Sequence, residues 1–435
     1  MSRKSSKALA AKLLEHRSRP LPSGSTVAVI GGGLAGCSAA NALATGGARV
    51  RLYEREAALA TQTSAHPGAV VFPMVAKHPT VLRRFYESAF ARILAKIEAV
   101  EQTEHFGDWH PVGAIHLLVN ERLEQLRNGL DRTGMAETHV QAWNANQTAE
   151  ATGGLIREAA LAYPTAGYID PRAWCRTLSR QPNIEILHQR VTALEPDGDG
   201  WLITTAEGTS KAAAVVLANG LAVLRFKQTA WLPLNCFRGQ LAYIPVEHAP
   251  DFPTQVICHE GYLIPNCSVG HLAGATFHPT DRNAHLASAS QKHLMVQLER
   301  WLPWFLKKAP PLKGRVAFRA QSPDHLPMIG PVANHEAFVR DFAELHHGRI
   351  GRTYPEPEYL PNLYVSTGHA SRGTVSCWVA GEIIATMILG GVPVLEPALI
   401  AELNPARFIF RTLRRNQRLA VPAIAPENLP PQLKP

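Results

Sequence analysis

Gly31, Gly33 and Gly36 have the spacing of a turn that brings backbone against a pyrophosphate, and Glu54 follows where a ribose-binding acid would lie. The glycines close the apolar string Val27-Ala28-Val29-Ile30, and Glu54 closes a second string, Arg49-Val50-Arg51-Leu52-Tyr53. Gly31 permits a tight turn, Gly33 lets the main chain approach phosphate, and Gly36 lets the following helix pack closely on the strand. Backbone N–H groups from Leu34 and Ala35 onward would face the phosphates at the helix start. Strand, glycine turn, helix, strand and acid together predict a dinucleotide site over residues 26–54. A carboxylate at 54, with no cation in its place, disfavours a 2′-phosphorylated nucleotide.

Further along, residues 63–69 are small and turn-rich, and apolar spacing from Leu82 to Ile97 predicts a helix over about 80–100. A strand is expected within 109–120. Asp170 followed by Pro171 reads as an N-cap and first helical residue. Residues 183–187, 189–191 and 201–205 read as three short strands. The run from Ala212 to Gly220 reads as a buried strand ending in a small-residue turn, where an open α/β sheet presents its ligands. Alternating strands dominate 232–315. Strand character returns at 362–367 and leads to a helix near 375–389. The expected fold is α/β: a Rossmann-like dinucleotide-binding domain built from 24–80, 155–230 and 315–405. Interleaved with it is a mainly antiparallel β substrate domain, from 81–154 and 231–314. Residues 1–23 form a basic extension, and 406–435 a tail that is first basic, then Pro-rich.

At 435 residues and 46% hydrophobic the chain can bury a large core. No window approaches the roughly 18 uninterrupted apolar residues of a membrane span, so no membrane partner is expected. The six cysteines are scattered without CxxC spacing, which suggests neither a disulfide scaffold nor a zinc site and fits a reducing cytoplasm. Nineteen histidines show no metal-binding spacing, and His66, His325 and His369 read as structural. Net charge is +9, concentrated in 2–19 and in 407–418. Basic groups interleaved with Phe408 and Phe410 suit a polyanion as well as plain solvent.

Selective stretches add to this: His66-Pro67-Gly68-Ala69, Arg238-Gly239-Gln240, Gly261-Tyr262-Leu263-Ile264-Pro265, Gly274-Ala275-Thr276-Phe277, Asp324-His325-Leu326-Pro327, Ser371-Arg372-Gly373 and Leu403-Asn404-Pro405-Ala406-Arg407-Phe408. With them the chain resembles the D-amino-acid oxidase family of flavoproteins. Within that family it is similar to the oxidoreductase domain of bifunctional enzymes that modify the wobble uridine of tRNA. The resemblance spans nearly the whole chain. It implies FAD as cofactor and tRNA as substrate, with oxidative cleavage of a carboxymethylaminomethyl group to an aminomethyl group and glyoxylate. It further implies that this is a stand-alone oxidase served by a separate methyltransferase.

The same likeness gives Arg319 and Tyr262 to the substrate carboxylate. Besides the glycine-turn residues and Glu54, it places Arg55, Thr63, Ser64, Val191, Ala218, Asn219, Gly220, Arg372, Gly373 and Thr374 at the cofactor. The sequence departs from the family at Ser322-Pro323, where an Arg is usual, and at Thr374-Val375-Ser376. Because free glycine and the modified uridine share one carboxymethylamine group, a free amino-acid or secondary-amine oxidase is the alternative.

Overall fold

The apolar strings become parallel neighbours: Thr26–Ile30 pairs with Arg49–Tyr53 on one side and Ala214–Leu217 on the other. Thr26–Ile30 and Ala214–Leu217 are β-branched or aliphatic and almost wholly buried, as strands covered on both faces must be, while Arg49–Tyr53 buries Val50, Leu52 and Tyr53. Adding Met328–Ala333, Tyr359–Thr367 and Ile184–Leu187 completes a six-stranded sheet, parallel except where Met328–Ala333 joins its edge antiparallel to Tyr359–Thr367. The computed structural model describes residue 14 and residues 19–104, 108–347, 353–417 and 429–430. The basic extension and the Pro-rich tail therefore lie almost entirely outside the described residues.

This sheet belongs to a unit formed by Met1–Thr61, Cys175–Cys236 and Arg319–Pro435. Its helices Leu34–Thr45 and Gly373–Leu389 pack face to face. Cβ atoms at Gly373, Gly381 and Gly46 would meet Leu34, Ser38 and Leu389 respectively, so the two helices run in the same direction with their N-termini together. At Gly381 the approach is closest, 2.5 Å from the Ser38 carbonyl oxygen, and no larger residue fits. Residues 370–389 are apolar enough by length and composition to cross a membrane, but most of the segment is buried inside this unit.

The second unit comprises Gln62–Trp174 and Phe237–Phe318. Its eight-stranded sheet runs in the order Gly314–Gln321, Asn235–Ile244, Gly270–Gly274, Tyr262–Cys267, Val256–Cys258, Ala114–Leu117, Ala160–Tyr163, Gln141–Trp143. It is mainly antiparallel, with Val256–Cys258 parallel to Ala114–Leu117. The pleat splits its residues by parity. Ile115, Ala242, Ile257 and Leu263 pack under the helix Ser288–Trp301. Ala114, Leu241, Cys258, Ile264 and Leu272 line the other face, with Tyr243 and Tyr262 half-buried beside them.

Two expectations change here. Residues 62–80 and 155–174 group with the second unit, because Ala69–Val71 pairs with Gly167–Ile169 and Ala160–Tyr163 pairs with Ala114–Leu117. Residues 189–191 form no strand: Gln189 N–H turns back to the Leu187 carbonyl, and pairing resumes only at Ala193 against Thr204. The predicted helix entry is present. Asp170 Oδ1 accepts from the N–H groups of Arg172 (2.8 Å) and Ala173 (3.4 Å) at the start of Pro171–Leu178.

Candidate active site

The glycine turn is held from three sides. Gly31 N–H donates to the Tyr53 carbonyl at 2.8 Å, which ties the turn to the tip of the second strand. Gly31 has φ +111°, and a Cβ there would lie 2.8 Å from the Ala218 carbonyl oxygen and 2.7 Å from Asn219 Cα. A Cβ at Gly36 would sit 1.7 Å from the Gly31 carbonyl oxygen, so the helix can seat on the turn only without a side chain there. Helix Leu34–Thr45 starts at Gly33, which offers no side-chain cap. Its first N–H groups thus point out of the turn with the positive end of the helix dipole, an arrangement that favours an anion.

Glu54 is buried at the tip of its strand. Its Oε2 accepts from Gly32 N–H at 2.8 Å and its Oε1 from Glu56 N–H at 3.1 Å, so the carboxylate is fixed beside the turn. Arg55 pairs with Glu56 at 3.1 Å while its Nη2 is buried without a hydrogen-bond partner. Arg190, beside the buried Val191, and Arg225 extend this group. Burial first, then the charges of Arg190 and Arg55, pull Arg225 below the ordinary guanidinium range. Cations close enough to lower the pKa of Arg225 make a region that favours anions. Sequence reasoning found Arg55 and missed Arg190 and Arg225, since 135 and 35 positions separate residues that only the fold brings near one another.

Across the turn, Ala218 N–H donates to the Ile30 carbonyl, and Asn219 leaves Oδ1 buried without a hydrogen-bond partner. Gly220 takes φ +61°, and its carbonyl accepts from Thr367 Oγ1. Arg372, Gly373 and Thr374 start the second helix, and Gly373 faces Leu34. Behind them His369 bridges Ser366 Oγ (3.1 Å) and Ser376 Oγ (2.9 Å), and Ser376 Oγ donates to the Arg372 carbonyl. Burial holds the His369 imidazole at a pKa of about 4, so it is a neutral brace, which supports its structural reading. The structure thus brings together Gly31, Gly33, Leu34, Ala35, Gly36, Ala218, Asn219, Gly220, Arg372, Gly373 and Thr374 around the turn, with Glu54 and Arg55 on its strand side. His66, in the second unit, and His325, hydrogen-bonded to Gln321, form no metal-binding group; none is present among the described residues.

Arg319 is half-buried on strand Gly314–Gln321. Thr63, Ser64 and Tyr262 belong to the second unit. Thr63 Oγ1 donates to the carbonyl of Phe318 at 2.7 Å, and Arg315 Nη2 donates to the Gln62 carbonyl at 2.9 Å, so the 62–64 turn is fastened to that strand. Tyr262 pairs with Gly274 across the sheet, its hydroxyl 3.1 Å from where a Gly274 Cβ would be.

The basic C-terminal stretch is not the open cationic surface its composition suggested. Arg407 is completely buried and meets Asp324 with two parallel hydrogen bonds of 2.9 Å, while also donating to the Leu403 and Leu326 carbonyls. Arg411 joins Asp324 to Glu402. Of this stretch Arg414 and Arg415 are exposed, and Arg418 lies outside the described residues. The Asp324-His325-Leu326-Pro327 and Leu403–Phe408 motifs are therefore two halves of one structural lock. Ser322, at a family departure, takes part through its hydroxyl, which donates to the Leu326 carbonyl.

Residues 26–387 match the DAO family of FAD dependent oxidoreductases, and the chain belongs to that family. It is an oxidoreductase with FAD as cofactor. Among its relatives is the bifunctional protein MnmC of tRNA 5-methylaminomethyl-2-thiouridine biosynthesis from Stutzerimonas stutzeri, 33% identical over 397 residues, covering 89% of this chain and 59% of the relative. The protein of the same name from Pseudomonas fluorescens is 34% identical over 403 residues, covering 89% and 60%. The chain thus spans about three-fifths of the length of these relatives. Its fold is that of a glycine oxidase from Geobacillus kaustophilus, with a TM-score of 0.69 at 18% identity over 88% of this chain and 99% of that one.

FAD fits the residues present. A Gly31 side chain would fill the turn, the helix N-terminus carries no side-chain cap, and the buried Nη2 of Arg55 and Oδ1 of Asn219 have no hydrogen-bond partner. Gly33, Leu34 and Ala35 would hold the pyrophosphate through backbone N–H groups. Glu54 would accept from ribose hydroxyls, and Ala218-Asn219-Gly220 would close over the dinucleotide.

Proposed function

We propose that the protein oxidatively cleaves the carboxymethylaminomethyl group on the wobble uridine of tRNA, leaving aminomethyluridine and releasing glyoxylate. The observation that carries this reading is the 33% identity, sustained over 397 residues, to proteins of tRNA 5-methylaminomethyl-2-thiouridine biosynthesis. Bound FAD supplies the hydride acceptor for the glycyl methylene carbon, and water hydrolyses the resulting substrate imine. The protein holds that carbon in place and keeps the amine in its neutral form. Arg319 gives the glycyl carboxylate two parallel N–H donors, which a guanidinium provides and an ammonium does not. Tyr262 adds a hydroxyl donor to the carboxylate. Arg372, the N-cap of helix Gly373–Leu389, would supply positive charge to bound flavin. A separate methyltransferase would then act on the aminomethyl product.

A second reading, a free glycine or secondary-amine oxidase, is favoured by the fold likeness to glycine oxidase. Turnover of sarcosine and of tRNA lacking the final modification steps, compared at several salt concentrations, separates the two. The tRNA reading expects turnover of the nucleic acid that falls steeply with salt. Salt-insensitive turnover of the free amino acid alone would refute it.

A further inference from the structure

Phe277 is the one tryptophan, tyrosine or phenylalanine side chain classed as exposed among the described residues, at 52% of its full accessibility. It does not stand alone. Its ring stacks on Phe237 with centroids 4.1 Å apart and planes 20° from parallel, so one aromatic face is supported from below and the other is turned outward. We propose that this pair is a stacking platform for an unpaired nucleobase of the anticodon loop, the wobble uridine or its neighbour. This inference rests on the tRNA reading above.

Three observations carry it. The first is rigidity. The loop after Phe277 is gripped by the fully buried Arg238, whose Nε donates to the Asn283 carbonyl and whose Nη2 donates to the His285 carbonyl, both at 2.7 Å. Arg238 and His278 also bridge as neighbouring strand residues, so the platform is ordered before any ligand arrives.

The second is charge. Residues 277–287 carry the cation Arg282 and one acid, Asp281, whose carboxylate is paired with the buried Arg238 at 3.4 Å. With Asp281 matched by Arg238, Arg282 leaves the loop a positive balance that suits phosphate, and an aromatic face beside a guanidinium is a usual reader of single-stranded RNA.

The third is position. Phe277 lies three residues beyond Gly274, the strand partner of Tyr262. The chain between them can span at most about 11 Å. A carboxylate held by Tyr262 thus leaves the attached pyrimidine, or the base next to it, within reach of the ring. A free amino acid has no base to place there.

The test uses the FAD-loaded full chain and a synthetic anticodon stem–loop carrying the carboxymethylaminomethyl uridine, with glyoxylate release as readout. Phe277→Ala should raise KM for the stem–loop at least roughly tenfold, in line with the loss of one stacked base. It should keep kcat at saturating RNA and flavin content within about twofold, and Phe277→Trp should restore KM. If wild-type protein turns over the stem–loop and Phe277→Ala does so with unchanged KM, the platform is refuted while the tRNA reading stands. If wild-type protein neither turns over nor binds the stem–loop, both fall. Dimer dissociation by Phe277→Ala with unchanged RNA affinity would assign the ring to a second copy of the chain and overturn the proposal.

Discussion

Gly31 does two jobs at once, because its left-handed backbone and its contact with Ala218 each exclude a side chain. Gly31→Ala is expected to lose bound flavin and to destabilise the unit by on the order of 1–3 kcal/mol. Absorbance of the purified variant and its melting temperature check this, and a yellow protein of wild-type stability would count against the cradle. Arg319→Ala should leave flavin bound and raise KM for the carboxymethylamine substrate between about tenfold and a hundredfold, the cost of a lost charge-assisted pair. An unchanged KM would remove Arg319 from the site. At this scale the sequence was legible where partners are near in the chain: Gly36 seats on the Gly31 carbonyl and Asp170 caps the residues just after it, whereas the contact of Gly31 with Ala218 is made only by the fold. Arg190 and Arg225 were illegible because nothing in their local sequence announces that Arg225 will sit near both Arg190 and Arg55.

Between elements, the lock joining Met328–Ala333 to helix Arg407–Arg414 turns on Asp324. Burial opposes its charge, yet the hydrogen bonds and charges of Arg407 and Arg411 outweigh that and hold its pKa at about 2, below the 3.8 of a free carboxyl. Because the folded value is depressed, the carboxylate contributes about 2 kcal/mol of stability above roughly pH 4, and that contribution disappears as pH falls toward 2. Asp324→Asn should flatten this part of the acid-unfolding curve. Arg407→Ala should also cost about 3–5 kcal/mol at neutral pH, because it removes the fully buried partner of the pair, which also donates to the Leu403 and Leu326 carbonyls. Denaturation at pH 7 and pH 3 tests both, and equal losses at the two pH values would contradict the assignment. The two motifs were visible as distinctive strings, but their purpose was not. Counting charges made the C-terminal stretch look like a surface, and only burial shows Arg407 spent on the interior. The strand expected at 189–191 failed for a related reason: Val191 is apolar because it is buried, not because it sits in a ladder.

For the whole molecule, the interleaving of an FAD-binding unit with an antiparallel unit was readable from the order of strand and helix patterns. The unit boundaries were not, since residues 62–80 and 155–174 take their membership from pairing partners far along the chain. The net charge of +9 is a chain-wide property that suits a polyanionic substrate, and under the tRNA proposal it has a measurable consequence. Turnover of tRNA should therefore fall as a power of salt concentration, whereas turnover of sarcosine, if any, should not. The most direct measurement is anaerobic mixing of the flavin-loaded protein with tRNA bearing the carboxymethylaminomethyl uridine, followed by the yellow flavin absorbance. Bleaching by that tRNA, with stoichiometric glyoxylate and no bleaching by tRNA lacking the group, is the expected result. A flavin reduced by glycine or sarcosine and left untouched by the tRNA would contradict the account.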